Sequence, residues 1–222
     1  MCGRFSLFED IDSLKEQFHF DFPDDLDARY NIAPGQDILT VINNGSGRSG
    51  KKMRWGLIPF WAEDEKIGYR MINARAETVD EKASFKHALK QRRCLILTDG
   101  FYEWKKEGKQ KQPYRFGMKS KQPFALAGLW ENWKKDGKEI TSCTIITTGP
   151  NQVTEKIHDR MPVILPKNKL DIWLDSSFAK PDQIKQLLVP FDADLMDAYP
   201  VSTAINSSKN EGKELIAPMN SL

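Results

Sequence analysis

Phe124-Ala125-Leu126-Ala127-Gly128-Leu129-Trp130 and Ile140-Thr141-Ser142-Cys143-Thr144-Ile145-Ile146-Thr147 flank a turn at Asp136-Gly137. Two apolar and β-branched runs around Asp-Gly form a strong hairpin signal, because both turn residues tolerate positive φ. The pattern recurs upstream. Phe101–Trp104 and Tyr114–Met118 flank a polar tip at Lys105–Gln112, and Ile38–Ile42 and Lys52–Leu57 flank the flexible Asn43–Gly47. Met53, Trp55 and Leu57 alternate as on a half-buried strand. Cys94–Leu97 reads as a buried strand that turns at Asp99-Gly100, Val163–Leu165 as a short strand, and Ala28–Gly35 as a turn-rich approach. Helices are fewer. Ile11, Leu14 and Phe18 share one face of a helix over residues 9–20. Thr78-x-x-Glu81 is a capping box that predicts a helix to about Arg92, with Phe85, Ala88 and Leu89 on its apolar side. Pro150–Ile157, Leu170–Leu174 and Pro181–Val189 are shorter helical pieces. There is no βαβ alternation and no Gly-rich phosphate loop, which excludes Rossmann and P-loop designs. The expected fold is α+β: a predominantly antiparallel, barrel-like β-sheet core with several short helices, as one domain over residues 1–222.

Composition narrows the function classes. The 222 residues are 40% apolar and 29% charged, as in a globular protein with a sizeable core. No apolar run approaches the ~18 residues of a membrane span. Glu9, Asp10 and Asp12 interrupt any signal-peptide core, so a cytoplasmic protein is expected. The net charge of +2, from 33 basic and 31 acidic residues, excludes nucleic-acid binding by bulk charge. Basic groups would have to gather on one face. Acids crowd into Glu9–Asp27, whereas Arg48–Arg54 and Lys105–Lys111 are basic. Three cysteines make no disulfide framework, and Cys94 and Cys143 read as core thiols. Neither cysteine nor histidine spacing fits a metal, so no metal and no cofactor is expected. His19 and His87 fall on helices among charged neighbours and read as surface residues.

Five stretches carry possible chemistry. Met1-Cys2-Gly3-Arg4-Phe5 places a cysteine second. Once Met1 is gone, Cys2 carries an α-amine and a thiol on adjacent carbons. An aldehyde would form an imine at the amine, and the thiol would then close a thiazolidine ring with a high effective molarity. Glu103 stands among Phe101, Tyr102 and Trp104, where desolvation would favour its protonated form and suit it to acid/base work; a salt bridge is the plainer alternative. Phe60-Trp61 follows Pro59. Neighbours on a strand face opposite ways, so one aromatic is expected to be exposed, either as a lid on the core or as a stacking platform for bases. Asn73, Arg75 and Glu77 share one face of an extended segment, and His158 precedes Asp159-Arg160-Met161-Pro162 at a helix-to-strand junction.

These pieces coincide with a family. Met1–Phe5, Tyr30-Asn31-Ile32-Ala33-Pro34, Trp55-Gly56-Leu57-Ile58-Pro59, Asn73-Ala74-Arg75-Ala76-Glu77-Thr78, Gly100–Trp104 and His158–Pro162 occur in that order. Together, over residues 1 to about 212, they resemble the SRAP family of abasic-site processing proteins. The resemblance implies that Cys2 captures the opened aldehyde of an abasic deoxyribose in single-stranded DNA as a thiazolidine crosslink. It implies that Asn73 senses the sugar, Glu103 serves as acid/base, and His158 bonds the sugar hydroxyl and assists ring opening and reversal. Arg4, Arg75 and Arg160 would contact phosphates, Phe60 and Trp61 would stack on bases, and Pro34 would line the groove. The family often has two bulky aromatics where Phe60 and Trp61 stand, and Phe60 departs modestly from that pattern, which bears on wedge strength and not on the chemistry. The implied protein is an enzyme of crosslinking, lyase-type chemistry with a peptidase-like N-terminal cysteine. It is a monomer, nucleoid-associated when on DNA. Some eukaryotic relatives carry a C-terminal tail for partners; the sequence implies no protein partner. Met1 leaves either through an aminopeptidase or through the site's own cleavage of Met1–Cys2, and both routes stay open. Two other classes compete: an N-terminal-nucleophile amidohydrolase, which also begins Met-Cys-Gly but carries an aliphatic fourth residue, and a non-catalytic single-strand binder.

Overall fold

The computed structural model describes residues 2–108, 110–178 and 180–219. Its strands, in chain order, are β1 (Phe5–Leu7), β2 (Arg29–Ile32), β3 (Asp37–Asn43), β4 (Arg48–Trp55), β5 (Asn73–Arg75), β6 (Arg93–Thr98) and β7 (Gly100–Glu107). They continue with β8 (Gln110–Met118), β9 (Phe124–Lys135), β10 (Lys138–Thr148), β11 (Met161–Pro162), β12 (Ile164–Leu165) and β13 (Met196–Pro200). The α-helices are α1 (Ile11–Phe18), α2 (Lys86–Gln91), α3 (Leu170–Leu174) and α4 (Pro181–Lys185).

The Asp136-Gly137 hairpin is the centre of the fold. β9 and β10 pair antiparallel from Lys135↔Lys138 to Gly128↔Ile145, with both turn residues at positive φ. The order β10-β4-β3-β6-β9 closes on itself, because β9 also pairs with β10, and a five-stranded barrel results. Closure removes free sheet edges. The α+β, barrel-like, predominantly antiparallel expectation therefore holds. The core on and around its wall includes Val41, Met53, Trp55, Leu95, Leu97, Leu126 and Ile145, all at most 1% exposed. Gly128 is required there: a Cβ would stand 2.8 Å from Cys94 Sγ and 2.8 Å from Ile96 Cδ1. The thiols Cys94 and Cys143 are buried, as their apolar strands predict.

A second sheet, β13-β8-β7-β1-β2, packs beside the barrel and carries the N-terminus. Tyr30–Ile32, expected as a turn-rich approach, is part of strand β2, paired to β1 at Phe5↔Ile32. Strand β1 is pinned at its centre and just past its C-terminal end: Asp99 accepts from Ser6 Oγ at 2.7 Å and from Phe8 N at 2.6 Å. Arg115 in turn pairs with Asp99 at 3.2 Å.

Two helix expectations are corrected. Residues 78–85 run through consecutive turns, with helix α2 confined to Lys86–Gln91. Thr78 uses its carbonyl, accepting from Glu81 N and Lys82 N at 3.1 Å, so the side-chain capping box does not form. Residues 152–157 likewise turn without becoming a regular helix. Over 78–85 the burial of Val79 and Phe85 in the core outweighs the local helix preference.

Candidate active site

The register of β1 against β7 builds the site. Phe5 faces Phe101, Ser6 faces Gly100, and Tyr102 N donates to Arg4 O at 2.9 Å. Continued outward, this register brings Gly3 and Cys2 alongside Glu103 and Trp104. Cys2 is 0% exposed; burial pushes its thiol well above the usual range, and the Glu103 charge pushes the same way. Alternation along β7 sends Tyr102 and Trp104 to a cluster with Val201, Ile205 and Leu215, while Phe101 joins the main core. Glu103 is 3% exposed. Burial raises its carboxyl to about 7, with the Asp159 charge adding to the effect. Near neutral pH it is thus both an acid and a base.

His158 faces that carboxyl, its Nε2 3.7 Å from Glu103 Oε2. Burial holds the imidazole below its ordinary pKa, and the Asp159 charge opposes this. The preceding turn is set by Asn151, whose Oδ1 accepts from Val153 N at 3.1 Å and Thr154 N at 3.0 Å. His158 N then donates to Thr154 O at 2.8 Å. Glu103 and His158 line an open cleft of about 560 Å³ with Trp104, Lys111 and Asn206. A separate, more apolar cavity of about 420 Å³, walled by Phe18, Met118, Phe124, Ile164 and Leu170, contains none of the candidate catalytic residues. Among the described residues no cluster of three or more His, Cys, Asp or Glu could hold a metal ion.

Asn73 and Arg75 are held by a parallel pairing that sequence patterning did not foresee: β5 runs beside β10, Asn73↔Ile145 and Thr147↔Arg75, and neither residue lines the Glu103–His158 cleft. Asn73 Nδ2 donates to Ile72 O at 3.0 Å, leaving its buried Oδ1 with no donor. Trp55 Nε1 donates to the same carbonyl at 2.9 Å, and its ring lies 5.2 Å from Phe5, which ties this strand to the N-terminal one. Arg75 is exposed. Arg160 is differently placed. Its guanidinium makes a bidentate pair with Glu77, at 2.7 and 3.0 Å, and donates to Thr147 O at 2.6 Å. It clamps the Asn73–Glu77 strand to the His158 segment. Arg4 is also engaged: Nη1 donates to Asn31 Oδ1 at 2.6 Å and Ile205 O at 2.7 Å, with the guanidinium 5.9 Å over the Trp104 ring.

Phe60 and Trp61 are both exposed, at 53% and 47%. An extended segment was expected to expose one of the two; both are exposed because the segment is a turn, in which Ala62 N donates to Pro59 O at 2.9 Å and both aromatics sit at the apex. Pro34 is half-buried beside Gly35, whose N donates to Trp55 O at 2.7 Å. Sequence reading missed Tyr69, 62% exposed with the Arg54 guanidinium 5.5 Å over its ring, and missed Lys111 and Asn206 in the cleft wall. An aromatic next to Gly68 was the one available signal for Tyr69; Asn206 carried none. Met1 lies outside the described residues.

This geometry can be set beside known proteins. The chain is 52% identical over 221 residues to the abasic site processing protein YoqW of Bacillus subtilis, spanning 97% of this chain and 99% of that one. It is 31% identical over 228 residues to the abasic site processing protein YedK of Escherichia coli, spanning 99% and 100%. A crystal structure of a protein from Bacteroides thetaiotaomicron superposes with a TM-score of 0.89 at 30% identity, over 98% of this chain and 100% of that one. Residues 1–208 match the SOS response associated peptidase (SRAP) family, and the chain belongs to that family.

Proposed function

We propose that this protein processes abasic sites in single-stranded DNA by forming a covalent thiazolidine through Cys2. The observation that carries the reading is the meeting of Cys2, Glu103 and His158, with Glu103 held near pKa 7 and 3.7 Å from His158. The names of the YoqW and YedK relatives support the substrate class.

The chemistry begins with hydrolysis of the Met1–Cys2 bond, which consumes one water and gives Cys2 its α-amine. His158 bonds the sugar hydroxyl and assists opening of the deoxyribose to its aldehyde. The neutral amine attacks the aldehyde carbon, and one of its protons passes to the resulting alkoxide to give a carbinolamine. Protonated Glu103 donates to the departing hydroxyl, which leaves as water, and the Glu103 carboxylate takes back the remaining N–H proton as the imine forms. The Cys2 sulfur then adds to the imine carbon while the thiol proton passes to nitrogen, closing the ring. The thiol, made a weak acid by burial in the uncleaved chain, reacts once the imine has formed beside it. Asn73 Oδ1, buried and without a donor, is placed to accept from a sugar hydroxyl. Arg75 contacts phosphate as an exposed point of positive charge, and Arg4 adds its field from beneath. Arg160 orders the His158 segment through its pair with Glu77, and a DNA phosphate that displaces that carboxylate would contact its guanidinium. Phe60 and Trp61 stack on flanking bases, and Pro34 lines the groove. The protein acts as a monomer, on DNA in the cytoplasm.

The test is a denaturing gel, with intact mass, after incubation with single-stranded DNA carrying one abasic site. A heat-stable adduct is expected from chain that has lost Met1 and none from Cys2→Ala. An equal adduct from Cys2→Ala, or none from wild type, overturns the reading. Salt-sensitive binding to intact DNA without any adduct would leave a non-catalytic single-strand module instead. Glutamine hydrolysis dependent on Cys2 would indicate an amidohydrolase.

A further inference from the structure

The His158 ring has a contested nitrogen. Its Nδ1 lies 3.0 Å from the backbone N of Arg160, which donates to it, and 3.0 Å from Asp159 Oδ1. These contacts make opposite demands. An N–H donor needs the Nδ1 lone pair, whereas a carboxylate needs Nδ1–H. Nε2 meanwhile stays directed at Glu103, 3.7 Å away.

We propose that Asp159 is a positioning residue that selects the His158 tautomer, so that one fixed imidazole serves Glu103 in either of its protonation states. When Nδ1 accepts from Arg160, the neutral ring carries its hydrogen on Nε2 and donates toward a Glu103 carboxylate. When Nδ1–H donates to Asp159, Nε2 presents a lone pair, which suits a protonated Glu103. A proton passing from Glu103 to Nε2 gives an imidazolium held by Asp159. Loss of the Nδ1 proton to bulk water returns the ring to the Arg160-held tautomer. The ring need not rotate in this cycle. The Asp159 side chain is 89% exposed and can swing away, while the Arg160 backbone is fixed by the side-chain clamp to Glu77 and Thr147. Among the described residues, the charged groups around the ring are Glu103 and Lys111 from the second sheet, Asp159 and Arg160 on its own segment, and Glu77 behind Arg160; the charge of the chain's N-terminus also acts on the ring. A role in catalysis rests on the proposed capture at Cys2, but the tautomer selection does not.

The experiment reads the ring nitrogens of the whole protein directly. With three histidines in the sequence, ¹⁵N ring spectra across pH are simple, and His158→Gln assigns the His158 signals. Wild type is expected to show both neutral tautomers of His158. Asp159→Ala is expected to collapse them to the Nε2–H form and to lower the imidazolium titration by about 0.3–0.7 pH unit, the range of an exposed ion pair. In the abasic-DNA assay the acid limb of its crosslinking profile moves down equally and the neutral rate falls about threefold, with binding to intact DNA unchanged. Tautomers and titration identical in wild type and Asp159→Ala overturn the proposal. A tautomer shift in a protein whose wild type forms no crosslink supports the proposal and removes the proposed function instead.

Discussion

A glutamate only 3% exposed, with its carboxyl raised from 4.5 to about 7, makes the whole protein sensitive to pH. The native state binds its proton more tightly than the unfolded chain does. Its stabilising contribution is full below about pH 4.5 and is lost as pH rises through about 7. Glu103→Gln, which mimics the protonated form, is expected to stabilise the protein at pH 8 by about 1–3 kcal/mol and to change little at pH 4. Thermal melts of both proteins across that range check it; a wild-type melting temperature unresponsive to the substitution at pH 8 refutes the burial argument. The same variant is expected to slow adduct formation at least tenfold while changing affinity for intact DNA by less than about twofold, because the role proposed for the group is to move protons and not to hold phosphate. Stopped-time gels and fluorescence anisotropy separate the two effects. Glu103 was legible in the sequence as a carboxylate among three aromatics. His158 was legible only as a histidine at a junction, since its partner lies 55 residues away on another sheet.

At the scale of elements, the loop bearing Phe60 and Trp61 depends on two glycines that face each other. A Cβ on Gly56 would stand 2.6 Å from Gly68 O, and one on Gly68 would stand 2.7 Å from Gly56 O. Gly56 also has φ +129°. Backbone on both sides cannot yield cheaply, so Gly68→Ala is expected to cost about 2–3 kcal/mol and to displace Tyr69 and the adjoining turn. Denaturant unfolding measures the first effect, and the near-UV signal of Trp61 the second. Arg93 does comparable service for helix α3. Its buried guanidinium donates to the carbonyls of Leu89 at 2.6 Å and Trp173 at 2.5 Å, and also to Asp175. Arg93→Met leaves those acceptors unpaired and is expected to destabilise by about 3 kcal/mol, read from the same unfolding curves. The hairpins were legible because their period of two and their turn residues are local. The 78–92 helix was overread, since a capping box states a local preference that the pull of Val79 and Phe85 into the core outweighs.

For the molecule as a whole, the net charge of +2 leaves DNA affinity to a few placed cations. Arg75 is exposed, whereas Arg4 and Arg160 already hold internal partners. Arg75→Ala is expected to weaken binding on every sequence and to lower the slope of log affinity against log salt by about 0.7, the value for one phosphate contact on a single strand. Arg160→Ala is expected instead to lower the melting temperature, because it unfastens Glu77 and Thr147. Titrations at several salt concentrations, with melts alongside, distinguish the two. By itself the sequence determined the antiparallel, barrel-like core, the buried thiols, the surface positions of His19 and His87, and the reactive potential of Cys2. These follow from local periodicity, turn chemistry and side-chain chemistry, which are written along the chain. Only the tertiary structure decided that Cys2 lies against Glu103, that His158 faces it with Asp159 and Arg160 contesting its other nitrogen, and that Asn73 lies on a strand paired parallel to β10. It also decided that two of the three candidate arginines are clamps within the fold. Such contacts join residues from distant parts of the chain, and their geometry comes from barrel closure and strand register, which no local pattern encodes.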